Sequence, residues 1–279
     1  MTKEKHFFLG NKRLASFPTK GEQFVKLNNE DLETKTHHLG ERLADLQEVL
    51  FAENKYKILI VLQGLDTSGK DGTVKHVFGA TNPQGVRVVS FKAPTELEQS
   101  HDYLWRVHKA LPANGEMVIF NRSHYEDYVV PKVHKSLPAK TTTQRLKDIY
   151  AFEKMLTNEN TVIFKFFLNI SLDEQARRLQ QRLENDNKHW KFSLSDLTER
   201  RYWKEYHKAY EEVIRATHSK ESPWAIIPAD NKGIRNYIIS KILVDRLESL
   251  HPKLPKFDSK VIRQLKAEAD RILPKQKPL

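Results

Sequence analysis

Residues 64–73 read Gly64-Leu65-Asp66-Thr67-Ser68-Gly69-Lys70-Asp71-Gly72-Thr73. The stretch fits the pattern G-x-x-x-x-G-K, a spacing suited to holding phosphate. Glycine lets the backbone wrap close to phosphate oxygens. Backbone N–H groups and the start of a following helix supply partial positive charge, and Lys70 adds a full one. Gly64, Thr67, Ser68, Gly69, Asp71, Gly72, Thr73 and Lys75 are the candidate phosphate contacts. Asp71 stands where the pattern ordinarily has the Ser or Thr that contacts Mg²⁺. That ligand must come from elsewhere, and Asp66, inside the loop, is the candidate, with helix capping as its plain alternative.

A second polar run is Asn121-Arg122-Ser123-His124-Tyr125-Glu126-Asp127. Arg122 can bridge phosphate oxygens in a way lysine cannot. Asp127 is a candidate to share Mg²⁺ with Asp66, because Mg²⁺ takes one or two carboxylates plus phosphate oxygens. Glu126 suits a base or ribose, or a lysine. The plain reading of the run is a polar turn in which Ser123 caps a helix. A third group is basic. Arg178 and Arg182 are four apart and so share a helix face. Arg177 lies beside them, and Lys188, Lys191, Arg200, Arg201 and Lys204 follow, interleaved with Trp190 and Phe192. An arginine-bearing flap over about 178–204 could screen charge on a transferring phosphoryl group; a solvated charged helix is the alternative. Arg106, Asn121 and Glu126 complete the set as candidate nucleotide contacts. The twelve histidines are scattered and show no zinc spacing.

These groups need elements to hold them. The unbroken apolar run Ile58–Leu62 suits a strand covered on both faces, ending at the glycine loop. Further strands are expected at Val86–Phe91, Met117–Phe120, Thr161–Ile170 and Trp224–Pro228. Helical periods fall at Asn29–Glu53 with Asn29 as cap, Thr73–Phe78, Glu96–Leu111, Thr143–Leu156, Leu172–Leu183, Leu194–Ala216 with a break expected near its start, Lys232–Leu250 and, weakly, Val261–Ile272. Ser171 with Glu174 reads as a capping box. Residues 184–192 are charged without a clear period. Strands alternating with helices predict a parallel sheet with helices on both faces, and in such sheets ligands bind where the strands end. All three polar groups follow strands. Residues 1–28 read as an extension without a fold of its own, 29–250 as the body, and 251–279 as a basic tail.

Composition sets outer limits. The chain has 279 residues, 39% hydrophobic and 30% charged, too apolar for disorder. It has no Cys, which removes disulfides, Cys-bound metal and thiol nucleophiles and suits a reducing cytoplasm. No apolar run is long enough to span a membrane. The net charge of +11 favours an anionic partner, whether nucleic acid, a membrane surface or a phosphate-rich substrate, unless it serves solubility alone.

Together Gly64–Thr73, Ala93-Pro94-Thr95, Asp102–Arg106 and Phe120–Asp127 resemble the polyphosphate kinase 2 family. Leu179–Arg182, Trp190–Phe192 and Trp224–Asp230 extend the likeness, which spans about residues 30–250. The 121–127 run is most similar to class III members. The resemblance implies an α/β, three-layer P-loop fold of thymidylate-kinase type, with a five-stranded parallel sheet and a helical lid. It implies reversible phosphoryl transfer between inorganic polyphosphate and AMP or ADP, with Mg²⁺ or Mn²⁺, in a homodimer or homotetramer. It assigns Asp66 and Asp127 to metal, Lys70 to phosphates, and Arg122, Arg178 and Arg182 to the phosphate chain and transition state. Many members carry Asp where this chain has Asn121; class III members share the Asn. Two rival readings remain, an ATP-dependent nucleoside monophosphate kinase and a P-loop nucleic-acid-binding protein. The second lacks any helix-turn-helix, RNA-recognition or zinc signature, so nucleic acid and membrane are not expected partners.

Overall fold

The computed structural model describes residue 7, residues 12–191 and residues 193–273, apart from the side chains of Lys188 and Lys191. Five strands pair in parallel in the order β2-β3-β1-β4-β5. They are β1 (Lys57–Gln63), β2 (Val86–Ser90), β3 (Met117–Asn121), β4 (Thr161–Asn169) and β5 (Trp224–Pro228). The centre of the sheet is β1, where Ile58 to Leu62 are each no more than 1% exposed. Alternate residues of β1 serve opposite layers. Ile58, Ile60 and Leu62 join the core under α1 (Asn29–Glu53), α2 (Lys70–Val77) and α10 (Lys232–Glu248). Leu59 and Val61 join the core under α5 (Glu126–His134), α6 (Ala139–Asn158) and α9 (Trp203–Thr217). Each such side chain contributes about 1.5–3 kcal/mol on burial, which is why this run reads as apolar without alternation. The chain turns to opposite sides of the sheet from β1 and β3, so the crevice between their carboxyl ends is the switch point where a ligand fits.

Several expected boundaries move. Asn28, not Asn29, caps α1, its side chain accepting from the Asp31 N–H. The expected helix over 96–111 is two short ones, α3 (Glu96–Gln99) and α4 (Trp105–Ala110). The Asp102 carboxylate takes the Leu104 N–H between them, a local bond that competes with helix. The 121–127 run ends inside a helix: Glu126 and Asp127 form the first turn of α5, which has Pro131 within it and is closed by Lys135 in the left-handed region. Leu194–Ala216 is broken near its start, as expected, into α8 (Leu194–Arg200) and α9. Ser171 caps α7 (Leu172–Leu183), but only half of the expected box forms: the Glu174 carboxylate turns to Arg177 and Arg178 instead.

The described residues of the amino-terminal segment pack against the body. Leu14, Phe17 and Val25 are buried in the two cores. Its backbone is stitched in by Leu14 N–H to Glu211, Asn169 to the Phe17 carbonyl, and Asp230 N–H to the Thr19 carbonyl. At the other end α11 (Ser259–Ile272) has no buried residue. Among the described residues no helix is long and apolar enough to cross a membrane.

Candidate active site

The glycine loop runs from the end of β1 to α2, with Gly69 at the helix N-cap. Gly64 and Gly69 have φ of 147° and 103°, values that side-chain-bearing residues rarely take. A Cβ on Gly64 would also meet the Leu168 carbonyl at 2.8 Å. Thr67 takes a φ of 63° without being glycine. The first turn of α2 holds Asp71, Gly72 and Thr73; the Thr73 hydroxyl is spent on the Gly69 carbonyl, and Lys75 is exposed one turn further on. The Thr67 and Ser68 hydroxyls are buried without a hydrogen-bond partner, which marks a loop built for polar contacts beyond its own.

Lys70 folds over this loop. Its Nζ donates to the carbonyls of Gly64 at 2.8 Å and Leu65 at 3.2 Å. Burial, assisted by the nearby Arg122, lowers its pKa to about 8. Opposite stands the β3 rim. Arg122 has a φ of 64°, and its guanidinium donates to Asp66 at 2.5 Å and lies 3.7 Å from Glu126. Burial opposes that charge, but Glu126 and Asp66 outweigh it and raise the Arg122 pKa. Burial pushes the Glu126 carboxyl up against the pull of Arg122 and Lys70. Asn121 donates to Asp71 at 2.8 Å and so joins the two rims. Asp66, Lys70, Asp71, Asn121, Arg122 and Glu126 thus share one crevice.

Other expected members sit differently. Asp127 is joined to Arg106 at 3.1 Å, Arg106 also donates to the Lys92 carbonyl, and Arg145 donates to the Asp127 carbonyl. Burial raises the Asp127 pKa, with Arg106 opposing. Each of the two supposed metal carboxylates therefore has its own guanidinium, Arg122 for Asp66 and Arg106 for Asp127. Arg178 and Arg182 also separate. Arg178 is buried under the loop, where its donors go to Glu174 and to the carbonyls of Thr67, Ser68, Ala229 and Asp230. It holds the loop rather than facing the crevice. Arg182 is more open and lies 3.6 Å from Asp196 of α8. The 3-10 turn Asp186–Lys191 follows α7; the Lys191 side chain lies outside the described residues.

Sequence reasoning missed a second tier. Beneath the β3 rim the Glu153 carboxylate, 2% exposed, receives Tyr125, Lys165 at 2.6 Å and His124 at 3.2 Å. Lys165 also donates to the Thr217 carbonyl. A lone lysine between Phe164 and Phe166 in a buried strand was the available signal. Beneath the glycine loop lies Arg235. It falls in one stripe of α10 with Ile239, Leu243 and Leu247, all buried, and a charge inside an apolar stripe was again the signal. Tyr206 and Tyr210 come from α9; burial is the first cause raising both pKa values, and Glu126 and Asp66 add to it.

The comparisons agree with this geometry. A family model described as "Polyphosphate kinase 2 (PPK2)" matches residues 26–255. An "AMP/ADP-polyphosphate phosphotransferase" of Meiothermus ruber is 52% identical over 217 residues, covering 78% of this chain and 81% of that one. An "ADP-polyphosphate phosphotransferase" of Rhodopseudomonas palustris is 38% identical, covering 91% and 92%. A crystal structure of polyphosphate kinase 2 from Arthrobacter aurescens superposes with a TM-score of 0.90 at 39% identity, covering 95% and 96%. With a phosphate loop, a facing arginine and a match over most of its length, this chain belongs to the polyphosphate kinase 2 family.

Proposed function

We propose that this chain transfers the terminal phosphoryl group of inorganic polyphosphate to AMP and to ADP, giving ADP and ATP, reversibly. The observation that carries the reading is that Lys70 on the glycine loop and Arg122 on the facing rim lie within reach of each other's charge, with Asp66 held by Arg122 beside them. Two cations from two strand ends converge where charge develops in phosphoryl transfer, which needs positioning and neutralisation rather than a covalent intermediate. The likeness to the Meiothermus ruber relative supports AMP as an acceptor beside ADP.

The residues divide the work. Loop N–H groups and Lys70 hold phosphates at the transfer point. Arg122, steadied by Asp66 and Glu126, meets the phosphate from the other side. The acceptor oxygen is already ionised, so no strong general base is needed. Arg182 on the α7–α8 flap adds its charge to the hold on the polyphosphate chain. A hard cation fits Asp66 better than Asp127: each carboxylate has one oxygen taken by a guanidinium, but Asp127 is the more enclosed of the two, beside Arg106. Among the described residues no group of three or more acidic or histidine side chains could hold a metal by itself, which suits Mg²⁺, a metal shared with substrate phosphates. Bound to Asp66 and those phosphates, Mg²⁺ (or Mn²⁺) supplies charge neutralisation. A cytoplasmic setting suits a chain without cysteine, and a homodimer or homotetramer is the assembly the family likeness implies.

The test is a luciferase-coupled assay with Mg²⁺ and long-chain polyphosphate, given AMP or ADP. ATP from both supports the reading. ATP from ADP alone removes AMP as acceptor. No ATP from either, with phosphorylation of AMP by ATP instead, points to an ordinary nucleotide kinase.

A further inference from the structure

Two guanidiniums lie side by side beneath the glycine loop, on the face away from the crevice. Arg178 is tied to the Thr67 and Ser68 carbonyls at 2.9 and 3.2 Å. Arg235, 1% exposed, reaches the same Ser68 carbonyl at 3.5 Å. A Cβ on Gly69 would lie 2.0 Å from Arg235 Nη1, and one on Gly72 would lie 3.4 Å from Nη2. The guanidinium therefore rests against Gly69 at the loop's end and Gly72 in the first turn of α2. Its other donors, Nε and Nη2, go to the amide oxygen of Asn236 at 3.1 and 2.8 Å. None of its hydrogen-bond partners among the described residues is an acid. The carboxylate beside Arg178 is Glu174, and Arg177 shares it.

A cation kept from water without an acid is costly. Burial and the neighbouring Arg178 together lower the Arg235 pKa to about 10, which still leaves it charged at neutral pH. The position is costly for the free chain and favourable when an anion sits across the loop. The hydrogen bonds add direction. Drawing the Ser68 carbonyl downward turns the Gly69 N–H of the same trans peptide toward the other face. Resting on the proposed polyphosphate reading, we infer that Arg235 is a positioning residue for phosphate: from behind the loop it aims the Gly69 N–H outward and adds positive charge that strengthens with the charge of the ligand. Gly69 and Gly72 are then glycine because of what lies beneath them as well as what binds above.

The experiment is calorimetric titration of the full chain with inorganic tripolyphosphate and, separately, with monophosphate, alongside thermal melting. Arg235→Met is expected to melt at or above the wild-type temperature, since it removes a buried charge without an acid. It should bind tripolyphosphate about tenfold more weakly, the scale of one screened charge at this range, and lose much less affinity for monophosphate. Arg235→Lys should recover most of the loss. Equal losses for both ligands, equal losses in both variants, or unchanged tripolyphosphate affinity in Arg235→Met would each overturn the inference. So would failure of both Arg235→Met and Arg235→Gln to fold, because the charge would then serve the fold. Wild type that binds no tripolyphosphate would instead remove the polyphosphate reading on which it rests.

Discussion

The rims after β1 and β3 face each other across the crevice and share one local device. Each forces a residue other than glycine into positive φ, Thr67 at 63° and Arg122 at 64°, and each is braced from inside the core. The braces have opposite sign. The β1 rim rests on the cations Arg178 and Arg235. The β3 rim rests on the carboxylate Glu153 through His124 and Tyr125. On the proposed reading, the β1 rim works with its backbone, whose N–H groups need carbonyls pulled away and positive charge added, and the β3 rim works with a side chain, Arg122, which needs a fixed loop more than a field. The sign of each buried brace then follows what the proposed surface above it does.

The largest effect should come from the cation that stands in front of the β1 rim. Lys70→Met is expected to lower kcat by about 100- to 1000-fold, the usual cost of one preorganised electrostatic donor. Its melting temperature should hold, since a desolvated lysine opposes folding. Polyphosphate-dependent ATP formation and a melting scan check both. A loss below tenfold would move the transfer point away from the loop.

The β3 brace is tested next. Glu153→Gln leaves the buried Lys165 ammonium without its acid. Such a break costs about 3–5 kcal/mol, or roughly 10 °C in melting for a domain of this size. Burial works against the Glu153 charge, but Lys165 and His124 more than offset it, so the folded pKa is depressed below the ordinary 4.5. The stabilisation is therefore present above that value and lost as pH falls through the folded pKa. Wild type should lose stability in acid more steeply than a Glu153→Leu, Lys165→Met double variant, which restores a neutral core. Equal acid profiles would show that the brace is not ionic.

These two tiers also mark what could be read from the chain alone. Gly64, Gly69 and Lys70 were legible because backbone demands fix residue type at fixed spacing. Strand β1 was legible because burial on both faces leaves no polar position. For Arg178 spacing shows a shared face with Arg182 but not what that face meets. Glu153 and Arg235 belong to helices far along the chain, and only packing brings them under the rims. The residues before α1 were unreadable for the same reason, since Leu14 and Phe17 find their partners in α9 and β4.

A smaller effect is expected from pH at the β1 rim. Lys70 titrates near 8 in the folded chain, below its ordinary 10.5, chiefly through burial. Below about 8 the ammonium is charged in both folded and unfolded chains. Between 8 and 10.5 the unfolded chain holds more protons, so the linked stability rises with pH. Phosphate binding goes the other way, because it needs the charged form. The kcat/KM for polyphosphate should fall by up to tenfold per pH unit above about 8, and Lys70→Arg should lack that limb while keeping part of the activity. A limb that persists in Lys70→Arg would assign it to another group.

The smallest expected effect separates two kinds of glycine within the β1 rim. At Gly64 an added Cβ meets a backbone oxygen, Leu168 O, at 2.8 Å. At Gly69 it meets the end of a side chain, Arg235 Nη1, at 2.0 Å. Both positions also carry the strain of positive φ. Gly64→Ala should therefore cost the same whatever occupies position 235. Gly69→Ala should cost less in an Arg235→Met background, because a methionine can bend away while the strain stays. The coupling in a double-mutant cycle is expected at about 1 kcal/mol, within the usual range for residues in contact, and denaturant melts of the four chains measure it. A coupling of zero at Gly69 would mean that the backbone alone excludes a side chain there. It would also make the β1 rim like the β3 rim, where Arg122 keeps its φ by the bracing of the loop around it.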